Sequence, residues 1–217
     1  MPGRNPHDDM KTLTLLLLCG MLAGCSQKSS VGSPFHKRMV DLSAGQEKGL
    51  PSISIETHLS NGETRMVMVV WPDGRIIWSK DSMKGGPPLL EGTVDPAKVR
   101  QVLGKLEGEG MFAKPADSLF HVGPDASSHF IHLYSGKKEA KLISWHELYE
   151  VNPNVVATSS GLGTLGDRKR EDVLSGDTKE YREFRKLWSE IRNLSAELIP
   201  KEGKPFTQPQ DGVRPGN

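Results

Sequence analysis

Ser52–Ser79 reads "SISIETHLSNGETRMVMVVWPDGRIIWS", and the alternation of its apolar residues decides the fold. Ile53 and Ile55 alternate with Ser54 and Glu56, as in a strand with one buried face. Asn61-Gly62 then marks a two-residue type I′ turn. "TRMVMVVW" leads into Pro72-Asp73-Gly74, a second turn signal, and "RIIWS" returns. Three antiparallel strands are expected. With Asn61-Gly62 as the loop, Ile55 faces Met68 and Ile53 faces Val70. With Asp73-Gly74 as the next loop, Trp71 faces Ile76 and Val69 faces Trp78. Adjacent strand residues point to opposite faces, so the two sets of pairs lie on opposite sides. The middle strand is then apolar on both. Either both faces are covered, or one carries an exposed Met and Val patch.

Downstream, "DSMKGGPPLLEGTV" reads as a loop and ends at a helix start. Asp95 is a good N-cap, and Pro96 suits the first helical position. Val99, Val102, Leu103 and Leu106 follow at helical spacing. Gly108 and Gly110 end that helix, with Met111 and Phe112 tucked under the sheet. "SSHFIHLYS", a turn at Gly136-Lys137, and "EAKLISWHE" form a third hairpin in which Ile131 meets Leu142 and Leu133 meets Ala140. Residues 151–178 read as one long loop rich in Gly, Ser and charge, a length that is functional or disordered. A last helix starts near Asp177, with Glu180 placed for a capping box. Tyr181, Phe184, Leu187, Trp188, Ile191 and Leu194 give it one broad apolar stripe, and Pro200 ends it. The expected class is α+β: a mainly antiparallel sheet of about five strands in hairpins, with two amphipathic helices packed on it. A hairpin with a "DG" turn, then a helix ending in Gly-aromatic, loosely resembles small uncharacterised secreted bacterial domains over residues 64–114. That resemblance implies a fold and no activity.

The single domain covers residues 50–199. Residues 25–49 are polar and read as a flexible tether. Residues 200–217 carry four prolines and no apolar period, and read as a disordered tail. Ahead of them, Leu13–Ala23 is an apolar run too short for the roughly 20 residues of a membrane span. Lys11, the apolar core and the small residues after it have the form of a secretory signal. Asp8 and Asp9 suit such a signal badly, and Met10 makes a better start. Leu22-Ala23-Gly24-Cys25 resembles the lipobox of bacterial lipoproteins. The resemblance implies cleavage after residue 24, a diacylglycerol on the Cys25 thiol and acyl chains such as palmitate. It also implies attachment on the exported side of the membrane. Ser26, where inner-membrane lipoproteins often carry Asp, favours the outer membrane over the inner.

Only two cysteines occur, Cys19 in the signal and Cys25 at its end. The mature domain therefore has no thiol for a disulfide, a zinc site or a nucleophile. The formal charge of +1 gives no footprint for nucleic acid.

Gly161-Leu162-Gly163-Thr164-Leu165-Gly166 matches G-x-G-x-x-G. A dinucleotide site needs that motif between a buried strand and a helix. Here the charged run "DRKRED" follows, which reads as a solvated loop, so no cofactor is expected. His121, His129, His132 and His146 cluster in or near the third hairpin. Three or four ligands must converge on a zinc. His129 and His132, three apart on a strand, point to opposite faces, and His146-Glu147 serves as a pair only if the strand bulges. Ser159 and Ser160 have no base placed beside them, and Glu107 and Glu109 sit at a fraying helix end. Trp71, Trp78 and Trp188 read as core, and Trp145 stays open. The expectation is a lipid-anchored, non-enzymatic protein that binds a protein or envelope component. Its partner surface would be Met66, Met68, Trp145 and loop 151–178, since methionines suit adaptable contacts. The alternative is a metal-dependent or serine-type hydrolase using His129, His132 or His146.

Overall fold

The central hairpin is built on two three-residue turns, and a bulge reconciles them with the expected core. In a computed structural model that describes residues 49–114, 119–123 and 126–207, strands β1 (Ile53–His58) and β2 (Thr64–Val70) pair antiparallel. The Leu59 N–H donates to Glu63 O, and Gly62 adopts φ 84°. The loop is thus Ser60-Asn61-Gly62 with a left-handed glycine, not Asn61-Gly62 alone. This moves the tip pairing by one residue: Glu56 faces Met66. An extra residue, Val67, then bulges between the Met66 and Met68 pairings, and Ile55 meets Met68 as expected. Val67 and Met68 both join the helix-covered core, whereas Met66 lies on the opposite side. The expected shared face of Met66 and Met68 does not exist.

The second turn differs in the same way and has no bulge to correct it. The Trp71 N–H donates to Arg75 O across Pro72-Asp73-Gly74, with Gly74 at φ 86°. β3 (Arg75–Ser79) therefore pairs Met68 with Trp78, Val69 with Ile77 and Val70 with Ile76. Trp78 moves to the helix side, and Ile77 takes its place beside Val69 and Trp71. Met66, Val69, Trp71 and Ile77 are each at most 1% exposed, so the middle strand is buried on both faces.

The sheet is larger than five strands. Leu89–Thr93, expected within a loop, forms β4 against β3. Two-residue edge strands flank the rest: β5 (Phe120–His121) runs parallel to the strand Lys138–Ser144, and β10 (Lys204–Pro205) antiparallel to β4. With β6 (Ser128–Ser135) and β7 (Lys138–Ser144), the order is β10-β4-β3-β2-β1-β6-β7-β5. The third hairpin keeps its expected register. Residues 204–206 belong to the fold, since the Phe206 N–H donates to Leu89 O and its side chain packs against the cluster of Met66, Val69, Trp71, Ile77 and Leu89. Residues 208–217 lie outside the described residues, as do the signal and Cys25.

Helix α1 (Pro96–Gly108) is capped by Asp95, whose carboxylate accepts from the Ala97 N–H at 2.8 Å. Helix α2 (His146–Tyr149) is a single turn after β7. Residues 151–178 are ordered: β8 (Val155–Thr158) and β9 (Gly161–Thr164) make a separate hairpin, and α3 (Arg170–Ser175) follows. Arg170 supplies the reason. Its Nη2 sits among the carbonyls of Glu150, Asn152, Pro153 and Val155, the last at 2.9 Å. Helix α4 (Lys179–Ala196) is capped by Thr178 rather than Asp177, with the Tyr181 N–H donating to the threonine oxygen. Its stripe and that of α1 cover one sheet face. Among the described residues, no helix is long and apolar enough to cross a membrane.

The two hairpin glycines give a test. A Cβ at Gly62 meets nothing within 4 Å, so Gly62→Ala carries only the left-handed backbone penalty of about 1 kcal/mol. A Cβ at Gly74 falls 2.0 Å from Val94 O, and Val94 in turn donates its N–H to Gly74 O. Gly74→Ala is expected to cost at least about 2 kcal/mol more than Gly62→Ala in urea unfolding. Equal costs would refute the close approach of Gly74 to Val94.

Candidate functional site

The histidines are brought near the last helix, but they are not gathered. His129 faces the helix-covered core at 0% exposure. Its Nε2 lies 2.6 Å from Met83 O, and its Nδ1 lies 3.2 Å from Glu147 Oε2. Arg192 Nε of α4 approaches the same Glu147 oxygen at 3.1 Å, and Arg192 Nη2 donates to Ser82 O. Both approaches to Glu147 are short but off hydrogen-bond alignment, so Arg192 acts on the carboxylate as a charge and His129 as a close polar neighbour. Burial alone would push the Glu147 carboxyl up. The His129 contact and the Arg192 charge outweigh it and bring the group down to about 2.

His132 lies on the other sheet face, across from Ser54 and Lys141. His129 and His132 therefore diverge, as their spacing requires. On that second face Glu56 is fully buried, and its carboxylate takes His58 Nε2 at 3.1 Å. Glu147 becomes available to His129 without a bulge, because the strand ends at Ser144 and α2 begins. His146 packs edge-on against Trp188 and lies 2.5 Å from the Ser144 hydroxyl through Nδ1. Burial, helped by the Arg185 charge, pushes this imidazole down to about 4 against the pull of Glu147 and Glu150. Ser144 and His146 are 1% and 5% exposed. This serine–histidine pair is closed to any substrate. Among the described residues no three His, Cys, Asp or Glu side chains are placed to hold a metal ion.

The G-x-G-x-x-G stretch is β9 and the turn after it, three residues ahead of the six-residue α3, whose first turn carries Glu171 and Asp172. Glu107 pairs with Lys138, and neither is buried. Trp71, Trp78 and Trp188 are buried. Trp145, 9% exposed, precedes α2 and shows one edge to a cleft of about 320 Å³. Phe120, His121, Val122 and Gly123 form one wall of this cleft, and Thr158–Gly161, the β8–β9 turn, forms the other. Gly123 backs onto the indole so closely that a Cβ would fall 2.7 Å from its ring. The turn is tied to α4. Asp177 accepts both the Ser159 N–H, at 2.9 Å, and the Ser159 hydroxyl. Burial pushes the Asp177 carboxyl up, but these bonds hold it below its ordinary range. Phe120 and Val122 are 39% and 51% exposed at the rim.

A larger groove of about 780 Å³ runs along the β4–β10 edge, at the far end of the sheet. Asp73, Glu91 and Glu202 line it together with Arg75 and Lys204, so it selects for neither sign of charge. The 320 Å³ cleft is the better candidate. It joins three features that the sequence shows only separately: Trp145, the Ser159-Ser160 pair and the 151–178 segment. No signal in the sequence marks Phe120 or Val122, because a two-residue edge strand has no periodicity. No protein-family model matches the chain, and no curated protein or solved structure matches it either.

Two measurements test the buried cluster. His146 titrates near 4 when folded against 6.5 ordinarily, so the unfolded chain takes up its proton first as pH falls. The stability is intact above pH 6.5 and is lost between 6.5 and 4, by about 3 kcal/mol. His146→Gln is expected to flatten that part of the pH–stability curve. Glu147 adds a second loss between its ordinary 4.5 and about 2. Glu147→Gln removes the anion beneath Arg192 and is expected to cost about 3 kcal/mol or more at neutral pH in urea unfolding.

Proposed function

We propose that the chain is a lipid-anchored protein of the bacterial envelope that binds a protein or envelope component and catalyses no reaction. The observation that carries the non-catalytic part is the burial of the histidines on which hydrolysis would depend. His129, His132 and His146 are at most 5% exposed. His129 and His146 sit within the helix-covered core, and His132 lies on the opposite face of the sheet. The accessible cleft offers aromatic edges, hydroxyls and the His121 imidazole, and its Ser159 hydroxyl is already donated to Asp177.

The lipobox Leu22-Ala23-Gly24-Cys25 supports the anchor. Each buried methylene contributes about 0.8 kcal/mol to membrane attachment, and two or more chains hold stably. Ser26 in place of Asp supports the outer membrane. The polar stretch 26–49 is long enough to hold the domain clear of the lipid surface.

Metabolic labelling with an alkyne fatty acid tests the reading. The wild-type chain is expected to carry the label in the membrane fraction. Cys25→Ser is expected to lose it and to accumulate at the length of the uncleaved precursor. Label retained in Cys25→Ser would refute the anchor. Turnover of a hydrolase substrate panel, abolished by His146→Gln, would refute the non-catalytic part.

A further inference from the structure

We propose that the cleft between β5, Trp145 and the β8–β9 turn binds one ring of a neutral saccharide. Its source as an envelope glycan rests on the exported-side reading above, whereas the binding itself does not.

Charge comes first. Among the described residues, nine line the cleft, and none of these carries a carboxylate, ammonium or guanidinium. An ionic ligand would lose its hydration and gain no counter-charge, which is strongly unfavourable. An uncharged ligand meets no such cost, and His121 is the one titratable side chain among the described lining residues.

The lining then sets its surface chemistry. Phe120, His121 and Trp145 bring aromatic side chains to the lining, and Thr158, Ser159 and Ser160 of the β8–β9 turn bring hydroxyl-bearing ones. A pyranose ring has a matching pair of surfaces, a C–H face and a hydroxylated edge. Ligand sites join apolar surface to a few placed polar groups; here polar surface is at least as extensive as apolar, as a hydroxyl-rich ligand needs, and about 320 Å³ lies at the small end of their size range. One ring fits better than an extended chain of them.

The hydroxyl wall is also pre-set. Thr158 donates to Gly161 O at 2.9 Å and lies 3.1 Å from the Ser160 hydroxyl. Asp177 fixes Ser159, and the Tyr181 hydroxyl donates to Ala157 O one residue before the turn. Oxygens held this way lose little entropy on binding, which favours recognition by weak, directed hydrogen bonds. A peptide is the competing occupant. It would dock by extending the sheet at β5, but β5 offers only two residues of ladder, too few for the main-chain bonds that drive strand addition.

Saturation-transfer difference NMR on the full chain in detergent tests this, with N,N′-diacetylchitobiose as the saccharide and the capped peptide acetyl-Val-Leu-Ala-amide as its rival. Saturation is expected to reach the C–H protons of one sugar ring and not the peptide. Phe120→Ala, at an exposed position, is expected to weaken sugar binding about tenfold. Ser160→Trp fills the cleft from the exposed turn and is expected to abolish the signal. The melting temperature of both variants is measured alongside and is expected to match wild type. Transfer to the peptide alone, transfer to neither probe, or a sugar signal that survives Ser160→Trp each overturns the proposal. Cys25→Ser leaves the sugar signal intact if the cleft binds on its own, so a failed anchor and a failed cleft give different results.

Discussion

One carboxylate oxygen holds four separate parts of the chain together. Glu147 Oε2 receives Arg192 from α4 at 3.1 Å and His129 from β6 at 3.2 Å. Those two side chains also reach the loop after β3, through Ser82 O and Met83 O. A carboxylate taken this far out of water is stable only when opposing charge comes with it. The same requirement fixes where α4, α2, the sheet and the 80–88 loop lie. The apolar stripe of α4 could slide along the sheet at modest cost, because hydrophobic contact is non-directional. The charge pair cannot slide.

A second pair sets the direction. Glu150, one helical turn beyond Glu147, takes Arg185 with two bonds of 2.7 and 2.8 Å. Arg185 and Arg192 are seven residues apart, about 10 Å along a helix, whereas the two glutamates are about 4.5 Å apart. The long arginine side chains converge to close that difference, with Trp188 between them under His146. As the number rises along α2 it falls along α4, so the turn lies antiparallel to the long helix. Trp145 leads directly into α2, and the opposite wall of the cleft is tied to α4 through Asp177 and Tyr181. Both walls are therefore referenced to one helix, and the gap between them is a property of the fold.

Much of the sheet was legible in the sequence because period-two alternation and turn signals are local. Ile55 opposite Met68, and the whole third hairpin, follow from them. Loop length was not legible. Asn61-Gly62 and Asp73-Gly74 each read as two-residue loops, yet each glycine serves as the left-handed third residue of a longer one. In the first hairpin the Val67 bulge cancels the one-residue shift. In the second nothing cancels it, and Trp78 changes face. A bulge depends on what the strand packs against, so residue spacing alone does not announce it. The edge strands β5 and β10 escape detection for a different reason, since two residues cannot show a period.

The site was legible as residues and illegible as geometry. The histidines drew attention because imidazole is a common ligand and base, but three of them lie where the sheet register and α4 bury them. His146 shows the outcome. Its neighbours are a serine hydroxyl, Trp188 and Phe184, and this environment pushes the imidazole down to about 4. At neutral pH it is an uncharged core residue. The run "DRKRED", read as solvated, contains Arg170, whose guanidinium gathers four carbonyls and so orders the hairpin behind the cleft. Beyond the local Ser144–His146 contact, the division between structural and accessible polar groups is set by contacts such as Arg170 with Val155 and Arg192 with Ser82, 15 and 110 positions apart. Composition and local spacing carry no record of such contacts. What lines the cleft is consequently plainer chemistry: aromatic edges, hydroxyls and the one imidazole of His121.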